Sequence, residues 1–180
     1  NSGSQMMVAL GRGTADIANL NFSLSGLMAT QDGSFKALKD APALFGNIRS
    51  IFGYPGGTYH ILTFDTSGIT TLKQVRGHSV YPGPPNAAQM VTTRLLFEAV
   101  DNMKDGVDYK FLSSDFAGGH QAYMDGKVDV LLQPAPLGGA IIEQFGVGHK
   151  FRLLGLSEET IASPLFKKYL EGPGRQVSVI

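Results

Sequence analysis

The sequence predicts an α/β fold with two similar lobes, and three observations lead to that prediction. One pattern occurs twice, at Ala9–Leu20 and at Ala122–Gln133: the end of a helix, a glycine, two residues, an aspartate and an apolar strand. Predicted strands and helices alternate along the chain, which is typical of mainly parallel α/β layers. A hydrophobic content of 43% with 17% charged residues fits an ordinary globular core.

The repeated pattern also predicts the backbone at its glycines. Gly13 and Gly126 each follow a helix and suit the left-handed position that ends one. Asp16 and Asp129 follow these glycines, so we interpret both as structural residues rather than as a catalytic pair.

Periodicity and turn residues give the order of the elements. Helices are expected at Ser4–Leu10, Phe22–Ala29, Ser34–Leu44 (stopping near Pro42), Leu72–Val75, Ala87–Asn102, Ala117–Met124, Leu137–Phe145 and Glu158–Leu170. Strands are expected at Asp16–Leu20, Ile48–Gly53, Tyr59–Phe64, Ser79–Tyr81, Lys110–Leu112, Val128–Leu132, Phe151–Leu154 and Gln176–Ile180.

Composition excludes several classes of partner. Fifteen Lys and Arg balance 15 Asp and Glu without a basic block, so neither nucleic acid nor an anionic membrane surface is expected as the main partner. The chain has no cysteine, which excludes disulfides and thiolate metal sites. It begins and ends within predicted elements, and we therefore interpret it as a fragment of a longer protein.

The connection Gly83–Gln89, between a strand and a long helix, is the sharpest local motif. Asn86 is a good N-cap residue, and Gln89 completes the spacing of a capping box. The backbone N–H groups of Ala87, Ala88 and Gln89 then suit a carboxylate or phosphate. The alternative is a helix cap that binds only water.

Further candidate ligand-binding residues follow the two repeated strands, where ligands bind in open α/β sheets. Gln133 and Pro134 follow the second strand, and Gln133 offers an amide to a ligand or lies as an edge amide in a turn. Asn21, Phe22 and Ser23 follow the first strand, where their polar groups either contact the ligand or cap the next helix.

Aromatic residues near predicted strand ends, Tyr54 and Tyr81, add surface typical of small-molecule clefts, although each alone is more often packed in a core. Catalytic motifs are absent: the sequence has no G-x-S-x-G and no H-E-x-x-H, and its four histidines lack metal-ligand spacing. We expect no catalytic residues, no metal and no cofactor.

The chain resembles a TAXI-type solute-binding protein, the periplasmic receptor of a tripartite ATP-independent (TRAP) transporter. The resemblance covers nearly all of the sequence. It is carried by Ser2-Gly3-Ser4 through Gly13-Thr14-Ala15-Asp16, Ile48–Phe64 with Tyr54-Pro55 and His60, Ser67-Gly68-Ile69 through Leu72 and Gly77, Phe111-Leu112-Ser113, and Asp125–Asp129.

The resemblance implies a type II periplasmic-binding-protein fold with the ligand in a cleft between two lobes. On this mapping residues 1–65 are part of the first lobe, which is incomplete, residues 66–172 are the second lobe, and residues 173–180 return toward the first. It further implies a periplasmic monomer, with its signal peptide removed, that delivers a small organic anion such as glutamate or 2-oxoglutarate to a TRAP-type permease.

The chain departs from that family at two places. Asn86-Ala87-Ala88-Gln89 stands where Gly-Ser-Gly-Thr is usual, and Pro134-Ala135-Pro136 where Ala-Gly-x-Pro is usual. A more neutral or larger solute is therefore an alternative ligand. Two alternative functions are a ligand-sensing domain of a signalling protein and an enzyme on the same fold, and the second is disfavoured by the absent catalytic motifs.

Overall fold

The computed structural model describes residues 3–53, 57–85 and 87–171, and its chain divides into two compact units. The larger unit consists of Gly56–Pro85 and Gln89–Tyr169. The smaller unit consists of Asn1–Pro55, Asn86–Ala88 and Leu170–Ile180.

The larger unit is built on a five-stranded sheet in the order β3-β2-β4-β1-β5. Its strands are β1 (Thr58–Phe64), β2 (Ser79–Tyr81), β3 (Lys110–Phe111), β4 (Val130–Ala135) and β5 (Phe151–Leu153). β2 runs parallel to β3 and β4, whereas β1 runs antiparallel to both β4 and β5. The sheet is therefore mixed, and the predicted parallel arrangement holds only for its β3-β2-β4 part.

The helices precede β1, connect the later strands or follow β5. They are α1 (Gly3–Gly11), α2 (Phe22–Ala29), α3 (Ala41–Gly46), α4 (Ala88–Asp101), α5 (Phe116–Met124), α6 (Ala140–Phe145), α7 (Glu158–Ala162) and α8 (Pro164–Leu170). Short 3₁₀ turns occur at Gly33–Phe35, Asp65–Ser67 and Leu72–Val75. The Leu72–Val75 turn begins with a capping box between Thr71 and Gln74, which satisfies orphan N–H groups at its start.

One hydrophobic cluster of the larger unit lies on the face of the sheet that packs against α5 and α6. Alternate residues of β1 and β4 supply its sheet side, as expected for side chains with a period of two. Its buried members are Leu62, Tyr81, Tyr123, Val128, Leu131, Ala135, Ile142 and Phe145.

The smaller unit has a separate core formed by helices alone. Met7, Leu24, Met28, Phe35 and Ala41 are buried there together. Within its described residues the unit has no strand, so the strands predicted at Asp16–Leu20 and Ile48–Gly53 are wrong for this structure. The physical reason is that a strand needs a neighbour to pair its N–H and C=O groups, and the described part of this unit supplies none.

Both glycines of the repeated pattern adopt the predicted left-handed conformation. Gly13 has φ +69° and Gly126 has φ +68°. The residue after each glycine donates its backbone N–H to a carbonyl in the last turn of the preceding helix. Thr14 donates to Ala9 at 2.9 Å, and Lys127 donates to Ala122 at 2.8 Å. These bonds are the mark of a Schellman motif, so the sequence rule is confirmed in both copies.

Two prolines act differently from the prediction. Pro42 does not stop a helix but lies in the first turn of α3, where its missing N–H is not needed. Pro134 does not end β4 but pairs with Tyr59 of β1. β2 pairs with β4 only as far as Leu131, so beyond that residue one side of β4 is an edge, and an edge tolerates proline.

Other boundaries shift because of packing. The helix predicted at Glu158–Leu170 is divided by Ser163 into α7 and α8, since Pro164 starts a new helix. The two compact units divide between residues 55 and 56, because β1 hydrogen-bonds with β4 and β5. The lobes expected at residues 1–65, 66–172 and 173–180 stay a prediction. The strand predicted at Gln176–Ile180 lies outside the described residues.

Candidate functional site

The connection from β2 to α4 contains the first group of predicted ligand-binding residues. Gly83 has φ +109°, a conformation that favours glycine. A Cβ added to Gly83 would lie 3.4 Å from the Cβ of Gln89, so the Gln89 side chain occupies the space beside this glycine. The carbonyl of Gln89 accepts a hydrogen bond from the Thr93 hydroxyl at 2.7 Å. The turn therefore depends on glycine for its left-handed backbone.

The rest of this group is described in part. Asn86 lies outside the described residues, so its capping box with Gln89 stays a prediction. Ala87 is half-buried directly before α4, and Ala88 is the first residue of that helix. The first turn of α4 contains no acidic side chain, which leaves its positive end without an internal counter-charge.

Tyr81 is a core residue in this structure. It is 0% exposed, and its hydroxyl donates to the carbonyl of Asp115 at 2.7 Å. Its ring lies so close to Gly119 of α5 that any Cβ there would overlap it. Burial and, secondarily, the nearby Asp115 carboxylate raise the pKa of Tyr81 to about 12. The structure therefore gives Tyr81 no surface for a ligand, and its role is to hold α5 against the sheet.

Gln133 and Pro134 lie in β4 and not in the turn that follows it. Gln133 is 8% exposed, and both its amide nitrogen and its amide oxygen make a hydrogen bond. Its Nε2 donates to the carbonyl of Pro134 at 3.0 Å, and its Oε1 lies 2.8 Å from Nε2 of His120. Gln133 is therefore not an edge amide in a turn, because it is buried and lies within β4.

His120 is the side-chain partner of Gln133, and the sequence did not predict it. It lies on α5, and thirteen positions separate it from its partner Gln133. Aromatic rings surround it: Tyr81 at 6.2 Å, Phe116 at 6.0 Å and Phe145 at 5.2 Å between ring centroids. Phe116 lies one helical turn before His120 on α5. Tyr81, Phe145 and Gln133 are on other elements, so only tertiary packing brings them to His120.

The candidates of the smaller unit lie at the start of α2. Asn21 is exposed directly before this helix, and its carbonyl accepts a hydrogen bond from the N–H of Leu24 at 3.1 Å. Phe22 and Ser23 form the first turn of α2. Tyr54 lies outside the described residues. This geometry agrees with the helix-start alternative for Asn21 and leaves its ligand contact a prediction.

Asp129 has the structural role that its position predicts. Its Oδ2 accepts hydrogen bonds from both the backbone N–H and the hydroxyl of Ser79, at 2.8 and 2.7 Å. Its carbonyl accepts a further bond from Thr63 at 2.9 Å. Burial acts to raise the pKa of this carboxyl, but the bonds from Ser79 and the adjacent His78 outweigh it and lower the pKa. Asp129 thus joins β4 to β1 and β2.

A cavity of about 360 Å³ in the smaller unit is lined by Val8, Arg12, Phe35, Leu38 and neighbouring side chains, and none of the predicted site residues lines it. Across residues 3–53, 57–85 and 87–171, no three His, Cys, Asp or Glu side chains are grouped to hold a metal ion. None of the described helices is long and apolar enough to cross a membrane.

Three solved structures show the same fold as this chain. The periplasmic aliphatic sulphonate binding protein SsuA of Escherichia coli is 20% identical, with a TM-score of 0.53 over 85% of this chain and 44% of its own. The alkanesulfonate-binding protein SsuA of Xanthomonas axonopodis pv. citri, bound to MOPS, is 18% identical, with a TM-score of 0.54 over 87% and 48%.

The third is an ABC transporter periplasmic binding protein of Brucella ovis with glutathione bound. It is 16% identical, with a TM-score of 0.52 over 86% of this chain and 43% of its own. The chain thus spans less than half the length of each of these proteins. No curated protein matches it. The sequence profile of the NMT1-like family matches residues 2–170, and the chain therefore belongs to the NMT1-like family and has the mixed α/β fold of the periplasmic binding proteins.

Proposed function

We propose that the chain is an extracytoplasmic solute-binding receptor. It captures a small carboxylate-bearing solute, such as glutamate or 2-oxoglutarate, and delivers it to a TRAP-type permease. Enclosure of the solute between two lobes, implied by the resemblance to TAXI proteins, is part of this proposal.

One observation carries the proposal: the connections after β2 and β4 leave the sheet at the same edge. β2 and β4 run parallel, with Val80 opposite Val130 and Tyr81 opposite Leu131. Ligands of open α/β sheets bind beyond the carboxyl ends of such strands. The Gly83–Pro85 turn and the segment after Ala135 therefore begin side by side at the edge where a solute is expected.

The ligand class follows from the start of α4. This helix has 14 residues. Its aligned peptide dipoles give its first turn a partial positive charge, and the first N–H groups of a helix have no acceptor within the helix itself. A carboxylate is the complementary group for such an end. The first turn of the helix carries no acidic residue. The carboxylate of the solute would therefore supply the negative charge at this end.

The partner follows from the resemblance alone. The segments that resemble TAXI proteins favour a TRAP-type permease, while the Brucella neighbour is a protein of an ABC transporter. A receptor of either kind works by binding the solute and presenting it to a membrane protein. A ligand-sensing domain would bind the solute in the same way without supporting uptake.

The test is a calorimetric titration of the chain with L-glutamate and with 2-oxoglutarate. The matched variants are Asn86→Trp, at the predicted cap of α4, and Asn19→Trp, at an exposed position of the smaller unit. We expect Asn86→Trp to weaken binding at least tenfold with little loss of thermal stability, and Asn19→Trp to leave binding unchanged. Equal affinities in all three proteins would remove the start of α4 from the site.

Transport is tested separately. Uptake of labelled solute into vesicles that contain a TRAP-type permease should require the chain. If the chain binds the solute but no TRAP-type permease responds to it, the receptor proposal in this form fails and the sensing alternative is favoured.

A further inference from the structure

Gln133 is an amide at a position of β4 whose neighbours are apolar. Leu131 and Ala135, two residues away on either side, belong to the buried cluster beneath α5 and α6, and Gln133 shares their face. The residue opposite Gln133 on β1 is His60. The Nδ1 of His60 is bonded to the carbonyl of Thr58 at 3.0 Å, within its own strand. Gln133 depends instead on α5 for its second partner.

The bond between Gln133 and His120 fixes the tautomer of the imidazole. Because a carbonyl can only accept, the bond from Gln133 to Pro134 identifies the Gln133 Nε2 as its donor and orients the amide. Oε1 therefore points at His120, and it accepts from the Nε2–H of that ring at 2.8 Å. In the neutral ring the remaining nitrogen, Nδ1, is then an acceptor.

Nδ1 of His120 is not used by the fold. It has no hydrogen-bond partner among the described residues, and the buried polar side-chain atoms that lack a partner there are the hydroxyls of Tyr109 and Tyr123. Nδ1 of His120 is therefore accessible to solvent. The ring as a whole is half-buried, near Phe116, which is 46% exposed.

We propose that Nδ1 of His120 accepts a hydrogen bond from an N–H or O–H group of the bound solute. This inference rests on the proposed function and narrows it: the chain prefers an amino or hydroxy carboxylate to the keto acid of the same skeleton. The ring lies near the carboxyl ends of β2 and β4, the edge at which the solute is expected. Phe116 gives the solute an apolar surface beside the acceptor.

The test compares two dicarboxylates of the same length. L-glutamate carries an ammonium group, which donates hydrogen bonds, where 2-oxoglutarate carries a ketone, which only accepts them. We expect the wild-type chain to bind L-glutamate about tenfold more tightly, the effect of one hydrogen bond to a charged group. His120→Gln keeps an N–H donor for Gln133, and its own acceptor oxygen no longer lies at the position of Nδ1. This variant should bring the ratio of the two affinities to about one while leaving the affinity for 2-oxoglutarate unchanged.

His149→Gln is the matched control, because this exposed histidine contacts the ring of Phe64 and has no part in the Gln133 bond. It should keep the wild-type preference. If His120→Gln also keeps it, or if the wild type prefers 2-oxoglutarate, the inference fails while the receptor proposal stands. If neither dicarboxylate binds to the wild type, the proposed solute class fails, and the inference fails with it.

The tautomer supplies a readout that needs no ligand. Nitrogen NMR of the histidine rings at mildly alkaline pH should show His120 protonated on Nε2 and not on Nδ1. A His120 ring protonated on Nδ1 would overturn the inference, since the acceptor would then point into the sheet.

Discussion

The two copies of the repeated pattern share one helix cap and then differ. Gly13 and Gly126 end their helices with the same left-handed backbone and equivalent hydrogen bonds. After Gly126 the chain enters β4, where Leu131 is 0% exposed. After Gly13 it forms no strand, and Ile17 is 76% exposed.

This comparison separates local from non-local causes. A cap is formed by a few consecutive residues, so the same sequence pattern gives the same geometry twice. A strand takes its hydrogen bonds and its burial from neighbours that are distant in sequence. β4 has β1 on one side and β2 on the other, whereas the described part of the smaller unit offers no neighbouring strand.

The largest expected contrast is between Leu131→Ala and Ile17→Ala. Leu131 is buried in the core beneath α5 and α6, so its truncation should lower the free energy of unfolding by about 2–5 kcal/mol. Ile17→Ala should change it by less than about 0.5 kcal/mol, because the side chain is exposed. Denaturant unfolding measures both. Equal losses would mean that Ile17 is buried in solution and that the contrast between the copies is false.

The next contrast is between Asp129→Ala and Asp16→Ala. Asp129→Ala leaves the N–H and hydroxyl of Ser79 without their acceptor and should cost about 1–3 kcal/mol at neutral pH. Asp16 is exposed, and its replacement should be nearly neutral.

The Asp129 effect should also depend on pH. Its folded-state pKa is lowered, so its ionised form stabilises the fold above the unfolded pKa of about 4, and this contribution is lost as the pH falls through the folded value. The stability difference between wild type and Asp129→Ala should therefore shrink in acid. A difference that stays constant below about pH 3, or grows, would contradict the carboxylate's role.

Replacing Gly13 or Gly126 should lower stability equally, whereas the leucine–isoleucine pair and the aspartate pair should each give unequal losses. A Cβ at either position meets nothing within 4 Å, so the cost is that of the left-handed backbone alone. Gly13→Ala and Gly126→Ala should each cost about 1 kcal/mol. Local hydrogen exchange in the helix preceding each glycine measures the two effects separately. A cost at one glycine only would show that the caps differ in solution.

The smallest effects concern two buried tyrosines of the larger unit. The hydroxyl of Tyr123 is buried without a partner, so Tyr123→Phe should be neutral or slightly stabilising in thermal unfolding. Tyr81→Phe removes the bond to Asp115 and should cost about 1 kcal/mol. The reverse order of stabilities would mean that Tyr123 has a partner in solution.

The sequence predicted most of the larger unit because its elements agree with local rules. β2 was predicted with its observed bounds at Ser79–Tyr81, and α5 to within one residue, since periodicity and glycine position mark both. Pro134 was misplaced because its tolerance depends on where β2 stops pairing, which no local pattern contains.

The candidate site was less predictable than the fold. Gln133 was identified from its place at the end of an apolar run, but its partner His120 was not, because their contact requires α5 to pack on the sheet. Tyr81 was assigned to the ligand surface, although its burial depends on Gly119 of that same helix. Residues whose role depends on tertiary packing were the ones missed.

The central claim, that the chain binds a small solute, is tested most directly by native mass spectrometry of the purified protein. We expect the native mass to exceed the denatured mass by that of a small organic molecule, or to do so after incubation with L-glutamate. Equal native and denatured masses before and after incubation with L-glutamate and with 2-oxoglutarate would contradict the proposed receptor function.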